Sequence, residues 1–295
     1  MKFGISLLAL CLSASCATTG SLDSMTPLEM SDVGFHHSEA ARYDPVSDRY
    51  LVSNLGERGT ENDGFISIVN PAGTVSDLRW IAGGRDGVEL YEPLGMYVKG
   101  DVLYVADITA VRIFDRISGE PIRAIEIKGA TRPNDLVVDD AGTIFLTDSG
   151  NGETPGALYR ISSSGEVTYF VQRSDDLVRP NGIAITANGQ VVHGGLLGDE
   201  LTYRDRATAN IISKRKLPTG RIDGIVALAD GSLLVASQNG HNVYHVPSNN
   251  DEVPVVVADG IDVPAAIGFD TKRKRVLIPQ IRKSSVTIVE VSKSE

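Results

Sequence analysis

The phrase Arg179-Pro180-Asn181-Gly182-Ile183-Ala184-Ile185 constrains this chain more than any other, because it returns with its apolar part kept and its polar part changed. It recurs as Asn134-Asp135-Leu136-Val137-Val138 and as Asp223-Gly224-Ile225-Val226-Ala227. Each copy passes through a short Gly- or Asn-containing turn into a second apolar run: Thr143 to Thr147, Gln190 to His193, Ser232 to Ala236. Two β-rich runs joined by a tight polar turn are a hairpin. A hairpin that keeps returning makes a repeat fold.

Six such hairpins can be aligned, their first strands starting near Ala40, Gly95, Asp135, Gly182, Gly224 and Ala266. Their spacing, roughly 40 to 55 residues, is that of propeller blades of four strands each. A third strand follows each hairpin, for example Ile66 to Val69, Val111 to Phe114 and Val286 to Val289, and most units add a fourth, such as Val167 to Val171. The last unit reaches Glu295 without room for its fourth strand. Residues around Leu28 to Phe35 are expected to supply it, which closes the ring and removes exposed sheet edges. The expected fold is therefore all-β: one six-bladed β-propeller over residues 33–295, with no helix of consequence and no second domain.

Ahead of it, Lys2, the apolar run Phe3 to Leu12 and the small residues Ser13 to Ala17 have the three parts of a secretory signal. Residues 1–16 are expected to be an export signal and 17–32 a leader. Two readings of the signal stand: a cut after Ala17 with loss of Cys16, or a lipoprotein signal in which Cys16 is lipidated. Both lead to an exported protein, periplasmic or lipid-anchored to a bacterial membrane. No later stretch approaches the roughly 20 apolar residues of a membrane-spanning helix. Both Cys residues lie at the extreme N-terminus, so the folded part offers no disulfide, thiolate metal site or Cys nucleophile. A net charge of -10, with one short basic run at Lys272-Arg273-Lys274-Arg275, argues against a nucleic-acid partner. That run falls in a hairpin turn and reads as solvated, while Trp80 reads as packing between blades.

The chemistry is expected on the propeller axis, where corresponding positions of the innermost strands meet. Alignment by apolar residues places Glu39, Leu94, Asn134, Asn181, Asp223 and Ala265 in one ring. Two carboxylates and two amides converging there form a hard-oxygen set of the kind Ca²⁺ or Mg²⁺ prefers. A second column, at the ends of the second strands, aligns Asn54, Asp107, Asp148, Gly194, Ser237 and Gln280. His193 and His241 stand close to that column, and a titratable imidazole there suits proton transfer near neutral pH. One Asp or Asn at a strand start more often bonds loop backbone than a ligand. Four in phase point the other way.

At these residues the chain resembles the gluconolactonase, regucalcin and luciferin-regenerating enzyme family of the calcium-dependent phosphotriesterase superfamily, and more distantly the paraoxonases. The resemblance covers nearly all of the chain after the signal. It implies one divalent metal ion on the axis, Ca²⁺ first, with Mg²⁺, Mn²⁺ or Zn²⁺ as alternatives, held by Glu39, Asn181 and Asp223. Asn134 matches a further Asn at the ligand or substrate position. The family's usual Glu-Gly-Pro phrase is Ser38-Glu39-Ala40-Ala41 here, and no Arg stands out where sugar-lactone enzymes hold their substrate.

Two functional classes follow. In the first, the protein is a metal-dependent hydrolase of lactones or related esters. The ion polarises the carbonyl, while Asp223, His193 or His241 activates water and Asn134, Asp107 and Asp148 bind substrate. No Gly-x-Ser-x-Gly elbow is present, in keeping with a reaction that uses no Ser nucleophile. In the second, it is a non-catalytic propeller that binds a ligand or protein on its top face, with the axial ion bracing the blades. In either case a monomer is expected.

Overall fold

The computed structural model of the protein describes residues 27–57 and 61–291. The expected export signal with Cys16, and the leader as far as residue 26, lie outside them. Twenty-four strands form six antiparallel sheets of four. The single helical piece among the described residues is a 3-10 turn at Asp175–Leu177. Numbered in chain order, blades 1 to 6 have the inner strands Ser38–Asp44, Pro93–Lys99, Pro133–Val138, Pro180–Ile185, Ile222–Ala227 and Gly268–Asp270.

The repeating turns explain the regularity. Between the first two strands of blade 3, Gly142 takes φ 81° and donates to the Asp139 carbonyl at 3.0 Å, and Gly189 and Gly231 repeat this in blades 4 and 5. Glycine reaches this left-handed conformation without the steric cost other residues bear. Each sheet then buries both faces against its neighbours. Leu136 and Tyr159 of blade 3 pack with Ala106 and Val111 of blade 2, and Ile225 and Val235 of blade 5 with Val192 and Leu201 of blade 4. Trp80 lies on the outer strand of blade 1, under the Arg49 guanidinium at 4.6 Å, and packs with the cluster shared by blades 1 and 2.

Closure comes from the N-terminal side. Leu28–Met30 is the outermost strand of blade 6, antiparallel to Ser285–Glu290, with Leu28 opposite Ile288 and Met30 opposite Val286. The strand stands where the sequence places it, so the propeller starts before residue 33. The basic run at 272–275 departs from expectation. Lys272 and Arg273 reach across to Asp48 of blade 1 at 2.7 Å, and Arg273 also bonds Asp270, so this turn staples the two ends of the ring together.

One irregularity recurs in every blade and positions the site. In blade 4, Pro180 faces Gly195 but Ile183 faces His193, so Asn181 and Gly182 together oppose Gly194. The same β-bulge sets Glu39-Ala40, Leu94-Gly95, Asn134-Asp135 and Asp223-Gly224 against single partners. In blade 6 the Pro264–Gln280 bridge and the Gly268–Leu277 pair give Ala265-Ala266 the same place. Bulges re-aim side chains and increase local twist.

The second bulge residue needs to be small where it meets the next blade. A Cβ on Gly182 would stand 1.9 Å from the Asp223 carbonyl oxygen. Gly182→Ala is therefore expected to cost about 1–3 kcal/mol or more through forced backbone displacement. Urea denaturation of the variant against wild type measures this, and an unchanged midpoint would contradict the close approach.

Candidate functional site

The first residues of the inner strands and the last residues of the second strands lie at the same end of the propeller, because the strands alternate in direction. At that end Glu39, Asn134, Asn181 and Asp223 occupy the first bulge position of blades 1, 3, 4 and 5, and all four are buried. Leu94 and Ala265 fill the same position in blades 2 and 6. The Asn181 amide donates to Asp223 Oδ2 at 3.2 Å, and the Gln238 amide donates to the same oxygen at 2.7 Å. Asp223 Oδ1, Asn181 Oδ1 and Asn134 Oδ1 are buried without a hydrogen-bond partner among the described residues. Burial, then the charges of Glu39 and Asp135, raise the Asp223 carboxyl well above the usual carboxylate range, against Arg221 and Arg42.

Just below this ring lies an arrangement that the sequence reading missed. Arg42, three residues after Glu39, sends its guanidinium across the axis. It donates to the carbonyls of Met96 at 2.6 Å, Ala41 at 3.0 Å, Ala266 at 2.9 Å and Ile267 at 2.7 Å, and to Asp135 Oδ1 at 3.0 Å. One side chain thus bonds blades 1, 2, 3 and 6. Asp135 is the charged exception among the second bulge residues, which are otherwise Ala or Gly. Burial raises its carboxyl, with the Arg42 charge opposing, and its Oδ2 has no partner. Gln238 went unnoticed because it stands one place beyond the second strand of blade 5.

The second column has a different job. Asp107 accepts from the backbone of Tyr91 at 3.0 Å and Glu92 at 2.7 Å and from Arg112 Nε at 2.9 Å. Asp148 accepts from Thr131, Arg132 and Gly150 backbone N–H groups and from Arg173. Burial alone would raise Asp148, but these donors outweigh it and hold the carboxyl low. Asn54 likewise accepts from His36 N–H and Gln280 from Asp262 N–H. In the five blades that carry a side chain there, the column braces the loop leading into the inner strand, so Asp107 and Asp148 spend their oxygens on it. In blade 4 its member is Gly195, opposite Pro180, and not Gly194.

His193 is buried on the face of its strand shared with Val191, toward blade 3. Its Nε2 accepts from Arg204 Nε at 3.0 Å, which puts the proton of the neutral ring on Nδ1 and leaves no free lone pair for proton abstraction. His241 is exposed in the turn after the second strand of blade 5, with φ 52°. Neither imidazole hydrogen-bonds to a member of the axial ring among the described residues.

Fold and site together define the class: a six-bladed β-propeller with a polar ring of two carboxylates and two amides at one end of its axis. Residues 70–282 match the family model described as SMP-30/Gluconolactonase/LRE-like region, and the chain belongs to that family. A search of curated proteins gave no match. Among solved structures, the chain is similar to a gluconolactonase from Xanthomonas campestris, at 17% identity over 90% of each chain with a TM-score of 0.66. It is also similar to virginiamycin B lyase from Staphylococcus aureus, at 15% identity over 90% of this chain and 99% of that one, with a TM-score of 0.65. At such identities the likeness concerns the fold.

The state of His193 has a measurable consequence. Burial, then the Arg204 and Lys214 charges, push the imidazole down from 6.5 to about 3. The folded protein keeps it neutral between those values while the unfolded chain protonates it, so the unfolded state binds more protons and stability falls as pH drops through that window. The loss attributable to this residue approaches roughly 1.4 kcal/mol per pH unit. Denaturation of wild type and His193→Asn at pH 7 and pH 4.5 should show the variant losing less stability on acidification. Equal losses would contradict the buried neutral imidazole.

Proposed function

We propose that this protein is an exported, divalent-metal-dependent hydrolase of lactones or related esters, working at the axial ring. The observation that carries this reading is the trio of buried, unpartnered acceptors, Asn134 Oδ1, Asn181 Oδ1 and Asp223 Oδ1, in the ring that also holds Glu39. Leaving a buried acceptor unpaired costs about 1–3 kcal/mol. Three acceptors with no donor among them suit a hard cation with oxygen ligands, Ca²⁺ first. Charge agrees. With Asp135 matched by Arg42, Glu39 and Asp223 are the two carboxylates that one divalent ion would offset.

Glu39, Asn134, Asn181 and Asp223 would hold the ion. When bound, it supplies Lewis acidity toward a carbonyl oxygen. The chain's own contribution centres on Asp223. Bonded to Asn181 in the ring, its carboxylate is the group that would take the proton of an attacking water. Asn181 and Gln238 fix its orientation through Oδ2, which leaves Oδ1 as the oxygen turned to the ion. Arg221 in turn donates to Gln238 Oε1, which aims the Gln238 amide at Asp223.

Two measurements test the reading. The melting temperature of the chelator-stripped protein should rise on adding Ca²⁺, Mg²⁺, Mn²⁺ or Zn²⁺, by the equivalent of about 2.7 kcal/mol at a hundredfold excess over the dissociation constant. The rise should vanish in Asp223→Ala. No rise with any ion, once elemental analysis excludes retained metal, would remove the metallohydrolase. On a lactone and ester panel with the stabilising ion, Asp223→Asn should keep the fold and lose about 100-fold or more in kcat. A confirmed metal with no turnover on the panel would favour the non-catalytic binding propeller.

A further inference from the structure

Two residues before Asn134, Asn181 and Asp223 stand Arg132, Arg179 and Arg221. Their places are structurally equivalent. Each backbone carbonyl accepts from the residue just after the second strand of its own blade: Arg132 from Ser149 at 2.9 Å, Arg179 from Leu196 at 3.0 Å and Arg221 from Gln238 at 3.0 Å. Three consecutive blades therefore carry an arginine at the mouth above the axial ring. The other blades have His37, Glu92 and Val263 there.

Backbone shape alone does not mark these positions. Arg179 and Arg221 are left-handed, with φ 58° and 59°, but His37 at 51° and Val263 at 45° share that kink, so it belongs to the way the chain turns into an inner strand. What blades 4 and 5 add is a guanidinium with no direct ion pair. Arg132 pairs with Glu92 across neighbouring blades at 3.2 Å, showing that side chains of this rim meet one another. Arg179 and Arg221 have no ion pair to a carboxylate among the described residues. Arg221 is exposed and spends its Nε on the neutral Gln238 Oε1. Arg179 Nε is buried and has no hydrogen-bond partner. Two guanidinium groups on adjacent blades without a direct carboxylate partner, one with an orphaned buried donor, stand out in a chain of net charge -10.

We propose that Arg179 and Arg221 form an anion-recognition pair at the mouth of the axial site, so that the molecule taken there carries a carboxylate or comparable negative group beside its reacting carbonyl. A planar guanidinium fork suits a carboxylate through paired, charge-assisted hydrogen bonds. The Arg179 Nε–H would gain the acceptor it lacks. The rim selects the anionic end while the ring below addresses the carbonyl. That this molecule is a substrate rests on the hydrolase reading; that it is bound as an anion does not.

The test compares γ-butyrolactone with the same ring bearing a carboxylate, 5-oxotetrahydrofuran-2-carboxylate, in wild type, Arg179→Met, Arg179→Lys and Arg221→Met. Calorimetric binding of the corresponding non-hydrolysed lactams, neutral 2-pyrrolidinone and anionic 5-oxopyrrolidine-2-carboxylate, is measured alongside. Arg179→Met carries the decision, because it leaves the Arg221 to Gln238 to Asp223 chain in place; its melting temperature checks the fold. Wild type should prefer the carboxylated member of each pair by about tenfold or more. That ratio should collapse toward one in Arg179→Met and Arg221→Met and partly survive in Arg179→Lys. Equal treatment of neutral and anionic members by wild type, or a preference that both Met variants retain, overturns the proposal. Absence of turnover on either lactone would count against the hydrolase alone, and the calorimetric ratio would still decide for or against the anion pair.

Discussion

The axial site depends on the β-bulge repeated at the start of all six inner strands. In a regular strand, successive side chains leave on opposite faces and neither points along the propeller axis. The extra residue breaks that alternation. Its first member belongs to the ring, and its second tucks against the neighbouring blade, which is why that place is Ala or Gly in five blades. Blade 3 departs with Asp135, and the departure is coupled to two others. Gly95 leaves room for it, since a Cβ there would lie 2.3 Å from Asp135 Oδ1, and Arg42 supplies the opposite charge. Losing either partner would strand a buried carboxylate, an expensive state.

Much of the fold was legible because it is periodic. Apolar runs, turn glycines and the spacing of hairpins repeat locally, and a local repeat survives in one dimension. The position of Leu28–Met30 followed from counting strands in the last blade. The ring of Glu39, Asn134, Asn181 and Asp223 was legible for a related reason: the bulge falls at the same distance from the apolar run each time, so alignment by the apolar residues kept the ring in phase. In blade 4 the second column slipped by one place, because consecutive glycines at 194 and 195 give no side chain to align.

What the sequence concealed is where long side chains and strand-end carboxylates send their bonds. Asp107 and Asp148 carry the same oxygens whether they face a ligand or loop N–H groups; the loops that reach them come from 15 and 17 residues away. Arg42 reads as an ordinary polar residue of a strand, yet its partners include residues 54, 93 and 225 positions distant. Such pairings are set by blade order rather than local pattern. The rim arginines were in plain view beside the ring residues. Their significance emerged only when Glu92 proved to pair with Arg132 and nothing comparable appeared for the other two.

Along the axis the charges alternate: guanidinium of Arg42, carboxylates of the ring, then guanidinium groups at the rim. Arg42 matters for the order. Held by four carbonyls and Asp135, it is a fixed cation below the ring, so the proposed metal ion would sit above it, beside Asp223 and the amide oxygens. A ligand approaching from the rim therefore meets positive charge before it meets the acidic ring. The fold does not impose this sequence, for a gluconolactonase and a virginiamycin B lyase share the propeller fold with this chain at 17% and 15% identity. On the reading proposed for this chain, it is the six residues of the ring, and the six that stand two places before them, that select the molecule on the axis and its orientation.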